Sequence, residues 1–175
     1  MATFLGIDFA DLTLKDALDL AVLIEEEAKD RYIDFAEQML LHHTPEAALF
    51  FSFMSDKEEK HRAELVARRA QLFGDEPARI TPAMLFEVEA PDYDEVRVFM
   101  SAREALQVAF RAEKKAYAFF SETLLRLRDP GVRALFAELR DEEVHHQKLV
   151  LAQLEKTPPE SILKAAHVAD GPAAQ

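Results

Sequence analysis

The chain contains no cysteine among its 175 residues. Disulfides, thiolate zinc sites, cysteine-ligated iron–sulfur centres and thiol catalysis are excluded together, and any metal must bind through oxygen and imidazole. Glycine is scarce. The four glycines are Gly6, Gly74, Gly131 and Gly171, so no glycine-rich loop can cradle a phosphate or dinucleotide. No apolar run approaches the ~20 residues needed to span a bilayer, and the opening MATFLGIDFADL lacks the basic segment of a secretion signal. A cytoplasmic location is the expectation. Basic residues are the minority, 21 against 33 acidic, and the net charge of -12 argues against nucleic acid or anionic membrane as partners. Handling of cations fits this balance better, on a chain long enough for one domain with a sizeable core.

The eight prolines are Pro45, Pro77, Pro82, Pro91, Pro130, Pro158, Pro159 and Pro172, and they leave four long stretches in which nothing breaks an α pattern. The first runs from Thr13 to about Leu41, with Thr13 capping and Asp16 reaching back. The second has Thr44 as N-cap and Pro45 in its first turn, and closes at Gly74. The third opens with the capping pair Ser101 and Glu104 and runs to about Arg128. The fourth runs from Asp129 and Pro130 to about Lys156. Residues 75–100, with three prolines around the apolar patch AMLFEV, read as a crossover with at most one short helix. The expected organisation is an N-terminal segment 1–12, a helical body 13–156 and a loosely attached tail 157–175.

The chain also repeats itself. A shift of 88 lays Thr13, Asp16, Leu18, Ala21, Glu25, Ala28 and Tyr32 on Ser101, Glu104, Leu106, Ala109, Glu113, Ala116 and Phe120. A shift of 85 lays Thr44, Pro45, Phe51, Met54, Glu58 and His61 on Asp129, Pro130, Phe136, Leu139, Glu143 and His146. Two matching helix pairs joined by a long crossover between helices two and three predict an all-α fold. Its form is an antiparallel four-helix bundle with approximate internal two-fold symmetry.

Four glutamates sit inside the apolar stripes of these helices. Glu25 falls among Leu18, Ala21, Val22, Ala28 and Tyr32, and Glu113 among Leu106, Ala109, Phe110, Ala116 and Phe120. Glu58 and His61 share a face with Phe51, Met54 and Leu65, as Glu143 and His146 do with Phe136, Leu139 and Val150. Burying an unpaired carboxylate costs several kcal/mol or forces its protonation. Two divalent cations would neutralise four carboxylates and leave both imidazoles uncharged. Lengths allow the meeting: Glu25 lies 17 residues before His42 and His61 lies 17 residues after Thr44, each about 25 Å of helix. Glu113 lies 16 residues before Asp129 and His146 lies 17 after it, so both halves place these side chains mid-bundle.

A Glu on each of two helices with a Glu-x-x-His on each of two others resembles the ferritin-like di-iron carboxylate proteins. The blocks EEEAKDRY, FSFMSDKEEKH and FAELRDEEVHH are most similar to the rubrerythrin branch, over residues 13 to about 156. The resemblance implies Glu25, Glu58, His61, Glu113, Glu143 and His146 as ligands of two iron ions per chain, with Glu58 and Glu143 bridging. Manganese and zinc are possible substitutes. Two departures stand out: a cysteine-free chain carries no rubredoxin-type iron domain, and Ala116 stands where rubrerythrins add a further glutamate. Glu142 and His145 form a competing Glu-x-x-His, against which the cap-to-ligand spacing favours Glu143 and His146. Tyr32 is the candidate catalytic side chain, its hydroxyl able to reach a ligand carboxylate; its counterpart Phe120 has none. His42 and His43 sit by a helix end, and His167 has no assigned role.

The activity implied is oxidation of Fe(II) or of an external donor coupled to reduction of peroxide or O2, in a protein expected to be a homodimer. An iron storage or delivery protein with ferroxidase activity, or a non-catalytic metal-binding bundle, are the alternatives. With no second redox centre of a recognisable kind, electrons are expected from outside, delivered by free Fe(II) or by a docking protein. Arg62, Arg68 and Arg69 offer a local basic group to an acidic carrier.

Overall fold

The computed structural model describes residues 7–84, 88–91 and 100–157. Their long elements are α1 (Leu14–Leu41), α2 (Pro45–Phe73), α3 (Ala102–Leu124) and α4 (Pro130–Lys156), with single 3-10 turns at Phe9–Asp11 and Pro82–Met84. Among the described residues there is no strand.

Helix ends follow local chemistry. Thr13 accepts the Asp16 amide at 3.2 Å while its own hydroxyl donates to the Asp16 carboxylate at 2.8 Å. Ser101 and Glu104 form a reciprocal capping box, and Asp129 accepts the Val132 amide at 2.9 Å. Thr44 stands at the N-cap position of α2 but makes no side-chain cap, because its hydroxyl turns back to donate to the Met39 carbonyl at 3.1 Å. Gly74 closes α2 with φ +55°, a conformation that glycine adopts without steric cost. Helix α3 stops at Leu124, before the Arg128 expected from sequence. The chain tightens there through Leu125 N–H to Glu122 and Arg126 N–H to Thr123, and Leu127 turns into the core. Arg133 then donates to the orphaned carbonyls of Leu124 (2.6 Å) and Leu127 (3.1 Å). Phe9 and Leu12, ahead of α1, are buried against the bundle. The expected tail from Pro158 onward, residues 1–6 and parts of the crossover lie outside the described residues.

The core is two apolar clusters separated along every helix by the charged side chains. One holds Leu18, Ile24, Leu65, Ala116, Phe120, Leu135, Phe136 and Leu139; the other holds Tyr32, Phe35, Phe51, Met54, Leu106, Ala109 and Val150. The order in which each helix visits the clusters gives its direction. Helices α1 and α4 run from the first to the second, α2 and α3 from the second to the first, so each hairpin is antiparallel and α2 is parallel to α3. The crossover must therefore run back along the bundle, past the layer between the clusters.

Arg62, Arg68 and Arg69 are each engaged within the bundle. Arg62 grips Glu59 through Nε and Nη2 at 2.8 Å each, and Arg68 donates to Glu138 at 2.9 Å. Arg69 binds Asp19 at 2.8 Å and the carbonyls of Gly74 and Glu76. Arg68 links α2 to α4, Arg69 links it to α1 and to the segment after Gly74, and Arg62 pairs within α2.

Candidate metal centre

Between the two apolar clusters lie the buried side chains of Glu25, Glu58, Glu113, Glu143 and His146, with His61 half-buried at the edge. The two histidines, equivalent under the repeat, stack face to face with ring centroids 4.9 Å apart and planes 5° from parallel. Ligand atoms of Glu58, His61 and His146 lie within 4.8 Å of one another, as do those of Glu58, Glu89, Glu113 and His146, and those of Glu25, His61 and Glu142. Glu58, His61 and His146 each belong to two of these groups. Glu143 belongs to none of them but is buried in the same interior.

Few hydrogen bonds satisfy this layer. Tyr32 Oη donates to Glu113 Oε1 at 3.2 Å, and His146 Nδ1 meets Glu113 Oε2 at 3.1 Å. Tyr32 thus reaches a carboxylate of α3 rather than one of its own helix. Six other carboxylate oxygens, Oε2 of Glu25, both of Glu58, both of Glu89 and Oε2 of Glu143, are buried with no hydrogen-bond partner. Burial pushes the carboxyls of Glu25, Glu58 and Glu143 well up, with Glu89 the next cause for each, and raises Glu89 itself to about 8. Burial also holds the Tyr32 phenol protonated, with Glu113 adding to it, so its hydroxyl remains a donor. His61 is lowered to about 4 by burial and by facing His146. Burial likewise disfavours a charge on His146, but the bond to Glu113 and the fields of Glu113, Glu89 and Glu142 outweigh it, and its net shift is upward.

A layer so rich in acceptors and so poor in donors fits a cation. Oxygen and imidazole ligands at mutual distances of 4.8 Å or less surround space that a first-row divalent ion suits, and bound cations would satisfy the bare oxygens that no protein donor reaches.

Glu89 escapes the sequence reading altogether, and Glu142, expected only as the partner of His145, takes a different one. Glu89 comes from the crossover, where no helical period marks it as inward-facing; its one signal is a carboxylate within an apolar stretch. Glu142 groups with His61 across the helix interface instead of pairing with His145, which is exposed. The Glu142 side chain is 34% exposed and stands at the rim, Oε2 3.9 Å from His61 Nδ1.

A bundle of two antiparallel helix hairpins with a buried carboxylate and imidazole layer at mid-depth defines the ferritin-like class. Within it, this chain belongs to the rubrerythrin family, whose family model matches residues 16–155. An uncharacterized conserved protein from Magnetospirillum magnetotacticum MS-1 is similar in structure, with a TM-score of 0.65 and 26% identity over 85% of this chain and 97% of that one. A hypothetical protein from Pyrococcus furiosus shares the fold, with a TM-score of 0.51 and 21% identity over 83% of this chain and 90% of that one. No curated protein matches the chain. No helix of the described residues is long and apolar enough to cross a membrane.

Proposed function

We propose that the chain is a di-iron oxidoreductase that takes electrons from Fe(II) or from a separate donor and reduces peroxide or O2. The observation that carries this reading is the layer of five buried carboxylates around two facing imidazoles, with six oxygen atoms left bare. Glu25, Glu58, His61, Glu113, Glu143 and His146 are the residues that would hold two irons, with Glu58, which falls in two of the ligand groups, and Glu143 as the proposed shared ligands. When bound, the pair supplies two electrons by passing from di-ferrous to di-ferric, which with two protons converts one hydrogen peroxide to two waters.

The chain's own groups do the rest. Tyr32 fixes the orientation of Glu113 through the 3.2 Å bond and acts through that carboxylate. His146 holds the other oxygen of Glu113. Glu142, at the rim and in contact with solvent, is the carboxyl placed to pass protons toward His61. The apolar clusters above and below exclude bulk water from the layer. A chain without cysteine or a glycine-rich loop holds no cysteine-ligated relay or nucleotide site, so recharging depends on an external reductant. A homodimer remains part of the proposal, and native mass tests it.

The decisive experiment loads the protein with Fe(II) under anaerobic conditions and mixes it with one equivalent of hydrogen peroxide or with O2. One rapid turnover, then arrest until reductant is added, is the expected result. Sustained NAD(P)H-driven turnover by the chain alone contradicts it, and iron uptake far beyond two ions per chain would make storage the function.

A further inference from the structure

We propose that Glu89, carried by the crossover rather than by a helix, is a seventh protein ligand of the metal centre, with Arg31 and Lys115 as its positioning residues. The inference deepens the di-iron reading and rests on it. Glu89 is 0% exposed, and neither of its carboxylate oxygens has a hydrogen-bond partner. A carboxylate so placed needs either a proton or a counter-charge, and a metal ion supplies the second. One of its oxygens lies within 4.8 Å of ligand atoms from Glu58, Glu113 and His146, which makes four ligands converging from α2, the crossover, α3 and α4.

Topology explains how a loop residue arrives there. Because α2 and α3 are parallel, the chain between Gly74 and Ser101 has to traverse the bundle, and Glu89 lies near the middle of that segment, level with the layer between the apolar clusters. Two cations fasten the segment from either side. Arg31 of α1 donates to the Pro91 carbonyl at 2.6 Å and Lys115 of α3 donates to the Ala90 carbonyl at 2.8 Å. Val88 is buried in the apolar cluster that contains Ala116. The backbone on both sides of Glu89 is thus held, with its side chain fully buried between them.

Charge gives the placement a chemical meaning. With Glu25, Glu58, Glu113 and Glu143, Glu89 brings the buried carboxylates to five. Five negative charges bracket the pair of irons evenly, leaving one negative charge over in the di-ferrous state and one positive charge over in the di-ferric state. Without Glu89 the oxidised state would carry two uncompensated positive charges. The crossover ligand therefore favours the oxidised pair.

The test is anaerobic calorimetric titration of the full chain with Fe(II), in parallel with Co(II), whose visible absorption reports the ligand set, on wild type, Glu89→Gln and Lys115→Met. Wild type is expected to take two ions. Glu89→Gln should weaken at least one of them by about 10-fold or more, since even groups that merely support a ligand are worth about 10–100-fold, and should change the Co(II) spectrum. The same variant without metal should melt no lower than wild type, because it replaces a buried ionisable group by a neutral one and keeps the shape. Amide exchange across residues 88–91 should slow on Co(II) binding in wild type and not in Glu89→Gln. Lys115→Met should show a smaller loss of affinity in the same direction. Unchanged affinity and spectrum in Glu89→Gln would overturn the assignment while leaving the di-iron reading intact, as would a variant destabilised equally with and without metal. A wild-type chain that binds no Fe(II) would overturn both.

Discussion

The two halves of the bundle carry the same pattern of residues and yet present unlike environments. In the α1/α2 half, Glu25 keeps one oxygen bare and His61 is lowered to about 4, whereas in the α3/α4 half Glu113 is held by both Tyr32 and His146, and His146 is shifted upward. The asymmetry has two physical sources. Tyr32 has a hydroxyl that Phe120, its counterpart, lacks, and it spends that hydroxyl on the opposite half. Glu89 groups with Glu58, Glu113 and His146, and it comes from the crossover that joins the two repeats rather than from within either of them. A repeated sequence can therefore build a centre whose two positions differ in donor supply and charge.

The strongest way to break the comparison is to remove what both halves share. Glu58→Ala should abolish binding of both ions, and with it the stabilisation by metal, whereas Glu25→Ala should spare one ion. Saturating divalent metal at about 100 times its Kd is worth about 2.7 kcal/mol, or roughly 5–10 °C in Tm for a chain of this size. Melting curves with Fe(II) and with chelator check it. Equal losses in the two variants would mean that Glu58 is not shared.

Making the halves alike is the next test. Tyr32→Phe gives both halves a phenylalanine and frees Glu113, so peroxide turnover by the loaded protein should slow by about 10–100-fold, the usual range for a group that orients a ligand. The converse Phe120→Tyr should destabilise by about 1–3 kcal/mol if the new hydroxyl is buried unpaired, as urea unfolding would measure. A turnover rate unchanged by Tyr32→Phe would deny the tyrosine a positioning role.

The pH dependence of the metal-free chain sharpens the electrostatic side. Glu89 titrates near 8 when folded, raised by burial and then by Glu113, but near ~4.3 when unfolded. The folded state keeps a proton that the unfolded state has released, so its contribution to stability is full below ~4.3 and is lost as pH rises through about 8. Glu25, Glu58 and Glu143 act in the same sense. His61, lowered from 6.5 to about 4, opposes them only across that interval. Between about pH 6.5 and 8 the metal-free Tm should therefore fall with rising pH, while metal affinity rises because protons and cations compete for the same oxygens. A metal-free Tm that is flat or rising across that window would contradict the burial of these groups.

The smallest effect separates the two matching helix starts. Asp129 caps α4 and Thr44 does not cap α2, so Asp129→Ala should cost about 1 kcal/mol and Thr44→Ala less. Equal costs would show that the Thr44 hydroxyl bond to Met39 is worth as much as a cap.

The helices, their caps at Thr13, Ser101 and Asp129, the duplication and the six helical side chains Glu25, Glu58, His61, Glu113, Glu143 and His146 were legible in the residues alone. Helical periodicity is a local rule, and a carboxylate that violates an apolar stripe announces itself within a dozen residues. Other features depended on contacts remote in sequence. Where α3 ends was decided by Leu127 seeking the core and by Arg133 reaching back to its carbonyls. Which carboxylate Tyr32 meets was decided by how α1 stands across the bundle interior from α3, 81 residues away in the chain. Glu89 obeys no helical period, and its burial follows from the parallel course of α2 and α3, which sends the crossover past the mid-depth layer, and from Arg31 and Lys115 fastening it there. Spacing along one helix determines which side chains share a face; only packing between elements determines which faces meet, and a ligand borne on an irregular segment is placed by nothing else.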